Sequence, residues 1–469
     1  MKRLAFRCWT STTIFCAVFF VTTAHAAGVV GTGTAASCTD AALDAALAGG
    51  GLVTFNCGGP ATIDVSTGTG TKTIAADTTI DGGRLITISG GNSVRVFQVS
   101  SGVHFSVENL RIANGLGMNT RAGRVGGGIF NDGGTLSVTN STFAGNSDGV
   151  ANGSPGGAAA ITNSTFIDNT GGVLNGGAAA ITSSTFIGNS RAVGGGILNL
   201  GEGGTLSVTN STFTRNTADN SGGGISNLSG TLSVTNSTLV GNSAGAGGGG
   251  AIENQDTLTL RDSTVSGNSR AGAAISGSGS VAMTNTIVAN NPGGNCDLSG
   301  FIDGGHNIDD GTSCGFSAAN GSLSNTDPQL DPAGLQDNGG PTQTVALCTA
   351  AGVPAGCTAA SPAIDTGDDA VCTAAPVNGR DQRGFGRPGS GHTHCSIGAY
   401  EAGGTPPQVC DGDCNNDGHV TIDELLTLAN IKLGNAQASA CQHGIPTGAE
   451  VNIALVIQAV NNALTQCGG

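Results

Sequence analysis

Between Asp413 and Glu424 the chain reads Asp-Cys-Asn-Asn-Asp-Gly-His-Val-Thr-Ile-Asp-Glu. Oxygen-bearing side chains recur at alternate positions, with Asp413, Asn415 and Asp417 at places 1, 3 and 5 of twelve. Gly418 follows, where the chain must turn sharply. His419 at place 7 offers its main-chain carbonyl, and Thr421 at place 9 acts through a water. Glu424 at place 12 closes the set with two oxygens, and Val420 pins the loop to an apolar core. Hard oxygen donors in this order suit calcium. An ordinary Asp/Asn/Gly turn leaves the full twelve-place match unexplained.

The loop needs helices to hold it. Ile422, Leu425, Leu426, Ala429 and Leu433 fall on one helical face, and 31 residues later Ile453, Val456, Ile457, Val460 and Leu464 repeat the spacing. Matching stripes predict two helices packed face to face. In the second copy the ligand places hold Gly444, Pro446, Gly448 and Leu455, none a carboxylate. One bound Ca2+ is therefore expected, not two. The duplicated loop–helix unit resembles a dockerin or tandem EF-hand module, which implies a protein partner for docking. It departs from dockerins in closing with Glu424 where they usually use Asp. Cys410, Cys414, Cys441 and Cys467 are expected to staple what a second ion would have held.

Elsewhere the chemistry is thin. His392-Thr-His394 has a metal-pair spacing, but it lies in a Cys-rich loop and reads as surface. No catalytic residue is assigned. A polysaccharide lyase or glycoside hydrolase needs clustered carboxylates. Aligned by repeat, one column reads Gly145, Asp168, Gly188, Arg215, Gly241, Gly267, and another Asp148, Gly171, Arg191, Ala218, Ala244, Arg270. Neither sets two carboxylates on neighbouring repeats. Asp132, Glu253, Asp256 and Asp262 read as solvated turn charges. No Trp or Tyr offers a sugar-stacking platform there.

Those columns exist because the chain repeats. Thr205-Leu-Ser-Val-Thr-Asn-Ser-Thr-Phe213 recurs at 135–143, with Leu for Phe at 231–239, and more loosely at 257–265. Asn146, Asn216, Asn242 and Asn268 each follow at the same offset. Gly-Gly-Gly-Ile-x-Asn precedes three of the copies. Apolar and polar residues alternate with the strand period, and Gly, Asn and Ser punctuate the ends. Each unit amounts to three short strands with one thin apolar face. It cannot bury that face alone, but it can when stacked on copies of itself. This predicts a parallel β-helix, by preference right-handed, with Leu136, Leu206, Leu232 and Leu258 in one inward column and Phe143, Phe213, Leu239 and Val265 in another. The Asn column is expected to ladder, and to take the left-handed conformation at a turn. Two copies spaced by 20 residues instead of 26, at 156–169 and 176–189, imply a shortened turn. The fold class is mainly β, a solenoid with a small all-α calcium-loop module at the C-terminus.

Composition sets the surroundings. Residues 1–26 read as a secretory signal, with Lys2, Arg3 and Arg7, an apolar core, and Ala24-His-Ala26 before the cut. Losing those three cations takes the formal charge from −15 to −18. That disfavours nucleic acid and anionic membrane as partners. No later segment is apolar enough to span a bilayer. Of 14 Cys, twelve remain after the leader, and none falls between Cys57 and Cys296. Their clustering predicts four local bridges, Cys38–Cys57, Cys296–Cys314, Cys348–Cys357 and Cys372–Cys395, in an oxidising compartment.

Thr39 is expected to cap a short helix through Leu47 that covers the open end of the stack. Regular repeats fade after Asn291. Leu335–Thr344, Ser361–Gly367, Asp381–Pro388 and Ile397–Glu401 resemble the choice-of-anchor Q domain, which follows β-helices in bacterial secreted proteins and precedes anchoring tails. The coils themselves resemble the pectin-lyase-like superfamily, which hosts lyases, hydrolases and adhesins. The expected layout is signal 1–26, capped β-helix 27–291, its anchor-Q-like end 292–401, linker 402–409 and module 410–469. The expected function is a secreted or cell-surface protein, adhesive, structural or glycan-binding, with a polysaccharide or cell-surface ligand. A polysaccharide-degrading enzyme with a dockerin-like tail is the alternative.

Overall fold

The computed structural model describes residues 28–465, apart from 121–122, 154–155, 202, 246–247, 269–271, 407–409, 416–419, 435, 438–439, 442–443 and 446–449. The expected leader, Asp417, His419, Arg270, Pro446, Gly448 and Cys467 fall outside that set.

The chain winds as a parallel β-solenoid of eleven coils. Three-residue strands such as Thr212–Thr214 pair in parallel into one eleven-stranded sheet running from Ala61–Asp64 to Ile308–Asp309. Five-residue strands such as Thr205–Thr209, and the Ile-x-Asn strands such as Ile197–Asn199, form the other two faces. Register is residue for residue: Thr205 pairs with Thr231, Leu206 with Leu232, Val208 with Val234. Pairing continues past Asn291, because Cys296–Asp303 adds to the growing edge although its sequence no longer repeats.

The inward columns are dry. Leu206, Leu232 and Leu258 are buried, and Ala159 and Ala179 take that place in the short coils. Phe143, Phe166, Phe186 and Phe213 stack with ring centroids 4.7, 4.7 and 4.6 Å apart. That spacing is the strand separation itself, and each stacked pair contributes about 1 kcal/mol beyond burial. The 20-residue coil from Phe166 to Phe186 is short because its turn from Ile167 to Val173 is tight, whereas Thr214 and Ile225 are joined by a long excursion.

Asparagine ladders close two corners. In the expected ladder, Asn146, Asn169, Asn189, Asn216, Asn242 and Asn268 each donate Nδ2–H to Oδ1 of the next at 2.8–3.3 Å, ending on Asn291. The left-handed backbone, however, belongs to the residue before each, such as Gly145, Asp168 and Arg215, and to a different column, Asn140, Asn163, Asn210 and Asn236. Sequence reasoning missed a second ladder at the Ile-x-Asn strands, from Asn131 through Asn152, Asn175, Asn199 and Asn227 to Asn254. Both ladders are buried, so each amide meets two needs at once: it pairs with its neighbour and with a main-chain carbonyl of the corner.

The helix α1 (Asp40–Leu47) covers the first coil, with Thr39 Oγ1 accepting from Ala42 N–H at 3.2 Å. Buried Lys72 fastens it through Asp40 and Asp44 at 2.5 and 2.7 Å. All four expected disulfides form, and Cys414–Cys441 is a fifth. Residues 338–405 turn back and run along the three-residue strands of the last five coils. There Gln382 sits between Thr212 and Thr238, donating to one hydroxyl at 2.8 Å and accepting from the other at 2.6 Å. This return arm includes the short helix α2 (Asp369–Thr373) and carries its own buried core, with Arg383 on Asp381 at 2.6 Å and Arg387 on Glu401 at 3.3 Å.

Candidate functional site

In the C-terminal module Thr421 N-caps α3 (Ile422–Lys432) in a capping box with Glu424. Glu424 does more than cap. Its Oε2 accepts from Thr421 N–H at 2.8 Å and Thr421 Oγ1–H at 2.9 Å, while Oε1 accepts from Cys414 and Asn415 N–H at 2.9 and 3.1 Å. The carboxylate thus bridges the beginning and the end of the loop. Asp413, Glu424 and Val420 are all buried. These four bonds take all four lone-pair sites of the carboxylate, so a cation there would have to displace some of them. Asp413, Asn415, Thr421 and Glu424 carry oxygen donors of the kind a hard cation takes, and the other expected ligands, Asp417 and His419, lie outside the described residues. Among the described residues no group of three His, Cys, Asp or Glu side chains converges.

The second helix is α4 (Ile453–Thr465). The two helices do pack, but of the expected stripes only Leu425, Ala429 and Val456 are even half-buried. Leu428, Leu455 and Ala459 are buried between them, with Leu425, Ile431, Val456 and Ala463 at the margin. Ile422, Leu426, Leu433, Ile453, Ile457 and Leu464 are exposed, from 56% to 79%, and Val460 is 39% exposed. Both helices are apolar on two faces, so spacing alone chose the outer one. Most of the repeated stripe points outward.

Of the four charges expected as solvated turns, Asp132 and Asp256 are exposed, whereas Glu253 and Asp262 are not. Glu253 is buried, accepting from Ser276 Oγ–H at 2.5 Å and Gly249 N–H at 3.0 Å. Asp262 is buried at the arm, with Asn285 donating to it at 3.1 Å, and desolvation lifts its carboxyl to about 6 despite the nearby Arg387 guanidinium. Asp132 is exposed. Asp148 and Arg191, two coils apart in one column, meet at 2.9 Å. The intervening residue is Gly171, whose Cβ would stand 2.5 Å from Asp148 Oδ1. Burial pushes Asp148 up to about 7, and Arg191 and the Gly126 N–H only moderate the rise. His394 is exposed and pairs with Asp369 at 2.7 Å, which holds its imidazole above its usual value.

The long-strand face carries Thr, Ser and Ala outward on successive coils, such as Thr205, Ser207 and Thr231. At its corner, Asp81, Arg84, Asn109, Asn140 and Asn163 form one wall of a cleft whose other wall is Asn415, Asp423, Glu424 and Thr427. No helix among the described residues is long and apolar enough to cross a membrane.

No family model matches this chain. No curated protein matches it either. Among solved structures, PfbA, a surface adhesin of Streptococcus pneumoniae, is similar at 12% identity over 59% of this chain and 93% of that one, with a TM-score of 0.25. A likeness of that size carries nothing over to this chain.

Proposed function

We propose that this chain is a secreted or cell-surface β-solenoid whose polar outer faces do adhesive, structural or glycan-binding work, tethered by a calcium-binding C-terminal docking module. The observation that carries the reading is the pair of exposed apolar stripes on α3 and α4, repeated at 31 residues. Soluble proteins rarely leave such a patch bare, and one rimmed by polar residues marks a protein-binding face. The disulfides at the first coils and after Asn291 fit an oxidising, extracellular setting. Calcium would be held by Asp413, Asn415, Asp417, the His419 carbonyl, Thr421 and Glu424. When bound, the ion would screen the loop carboxylates and fix the start of α3 against the Cys414–Cys441 staple.

The polysaccharide-degrading alternative stands second. It asks for carboxylates turned toward a substrate, whereas Asp148, Glu253 and Asp262 each point at internal partners. The test is a paired assay on the purified full chain. Calorimetric titration with Ca2+ is expected to give one site, abolished by Glu424→Gln. Incubation with a panel of pectins and neutral glycans is expected to give no cleavage; release of unsaturated or reducing ends would move the alternative into first place.

A further inference from the structure

A lysine stands where the solenoid elsewhere places an apolar residue. Lys72 opens the strand Lys72–Ile74 and pairs with Phe97, and the coils beyond hold Ile129, Val150 and Val173 at the same inward place. Its side chain is 2% exposed. It is also the single lysine between the expected leader and the C-terminal module, the other basic side chains Lys and Arg in that stretch all being Arg. Arg keeps its charge, whereas a desolvated Lys gives up its proton and becomes a nucleophile.

Two carboxylates and a hydroxyl meet the amine. Asp40 and Asp44, one turn apart on α1, put their Oδ1 atoms 2.5 and 2.7 Å from Nζ. The Asp40 contact is close without the alignment of a hydrogen bond, and Oδ1 has no hydrogen-bond partner. Asp40 Oδ2 is held separately, accepting from Thr69 N–H at 3.0 Å. Thr69 Oγ1 accepts from Nζ at 2.5 Å and donates to Asp44 Oδ2 at 2.7 Å. An amine thus faces a carboxyl group with one oxygen fixed by a main-chain N–H, and a second carboxylate is joined to that amine by a proton path. Condensation to an amide needs these parts. A plain ion pair explains the proximity, but it leaves a desolvated ammonium against a carboxylate oxygen that no hydrogen bond satisfies.

We propose that Lys72 and Asp40 condense into an isopeptide cross-link that fixes α1 covalently to the solenoid, with Asp44 carrying the proton. A proton first passes from Nζ to Asp40 Oδ1, which leaves a neutral amine and a neutral carboxyl group. The Nζ lone pair forms a bond to Cγ, and the Cγ–Oδ2 π pair moves onto Oδ2, where Thr69 N–H stabilises it. Asp44 takes the next proton from Nζ, directly or through Thr69 Oγ1, and returns it to the Oδ1 hydroxyl. The Cγ–Oδ1 bond then breaks, water leaves, and Oδ2 remains as the amide oxygen. One positive and one negative charge disappear together, and no oxidant or further reactant enters. Lys72 and the one-third-exposed Asp44 line a surface cleft with Thr71 and Thr73, which gives the water a way out. The cross-link concerns neither the calcium loop nor a ligand, so it stands or falls apart from the function proposed above.

The test is mass spectrometry of the purified full chain, reduced and denatured so that Cys38–Cys57 no longer joins the same segments. After the leader no Lys or Arg precedes Lys72. Trypsin is expected to read through Lys72 to Arg84, giving a peptide one water lighter than its sequence. A further cut after Phe55 is expected to leave two peptides joined, with fragmentation placing the bond on Asp40. Lys72→Arg, which keeps the charge, and Asp40→Ala are each expected to lose the bond. Asp44→Ala is expected to slow its formation at least about tenfold. A wild-type chain of full mass that is cut at Lys72 overturns the proposal, and so does a bond placed on Asp44. Condensation of the Asp44→Ala chain as fast as the wild type overturns the role given to Asp44.

Discussion

A single ladder asparagine carries four hydrogen bonds that water cannot replace. Asn189 Oδ1 accepts from the main-chain and side-chain N–H groups of Asn169, and its Nδ2 donates to Phe166 O and Asn216 Oδ1. Asn189→Ala leaves several buried groups unpaired, and its expected cost is at least about 2 kcal/mol, measured by chemical denaturation. Asn163→Ala, on the exposed corner, should cost far less. Asp148 and Asp262 make a prediction in pH. Their folded carboxyls titrate near 7 and 6 against an ordinary value of 3.8. The folded chain therefore holds extra protons between about pH 4 and 7, and stability declines as pH rises through that window. Against desolvation, which raises them, hydrogen bonds hold Asp44, Asp303 and Asp369 below the usual value, with Lys72 also acting on Asp44 and His394 on Asp369, so they act oppositely and their contribution fades in stronger acid. The melting temperature should be highest in mild acid, and Asp148→Asn should flatten its decline toward pH 7. A melting temperature that rises steadily from pH 5 to 7.5 would contradict this.

At the scale of elements, the coil was legible because stacking repeats the same demand at every level: one Leu, one Phe, one Asn per turn. Columns read off the sequence became columns in space, and the shortened turn before Val173 followed from a spacing of 20. The Asp148–Arg191 pair escaped because adjacency was tested coil by coil, whereas a glycine lets side chains meet across one. Gly171→Ala should force that pair apart. Its φ of +155° also disfavours a side chain, so a loss of about 1–3 kcal/mol is expected by thermal denaturation. The return arm was legible only as a resemblance. It has no period, and its partners lie 83 to 171 residues away in sequence. The helical stripes were legible as a duplication but not as an orientation, since apolar residues occupy two faces of each helix and only packing decides which is covered.

For the whole molecule, a rod of eleven coils is closed at one end by α1 and clasped along its last coils by the arm. It continues into a module with an uncovered apolar surface. On the proposed reading, rigidity and exposure divide the labour: the coils hold a long polar array in fixed register, and the module would supply attachment. Loading the loop with calcium should raise the module's own unfolding temperature while leaving that of the solenoid unchanged, which two-transition calorimetry with and without chelator can read. The most direct test is retention of the purified chain on envelope material from its source cells, washed with calcium or with chelator. The account predicts that the wild-type chain is retained in calcium and released by chelator. It also predicts that Leu426→Lys with Ile457→Lys is lost under both conditions while still binding one calcium. Equal retention of the wild-type and double-lysine chains would contradict it.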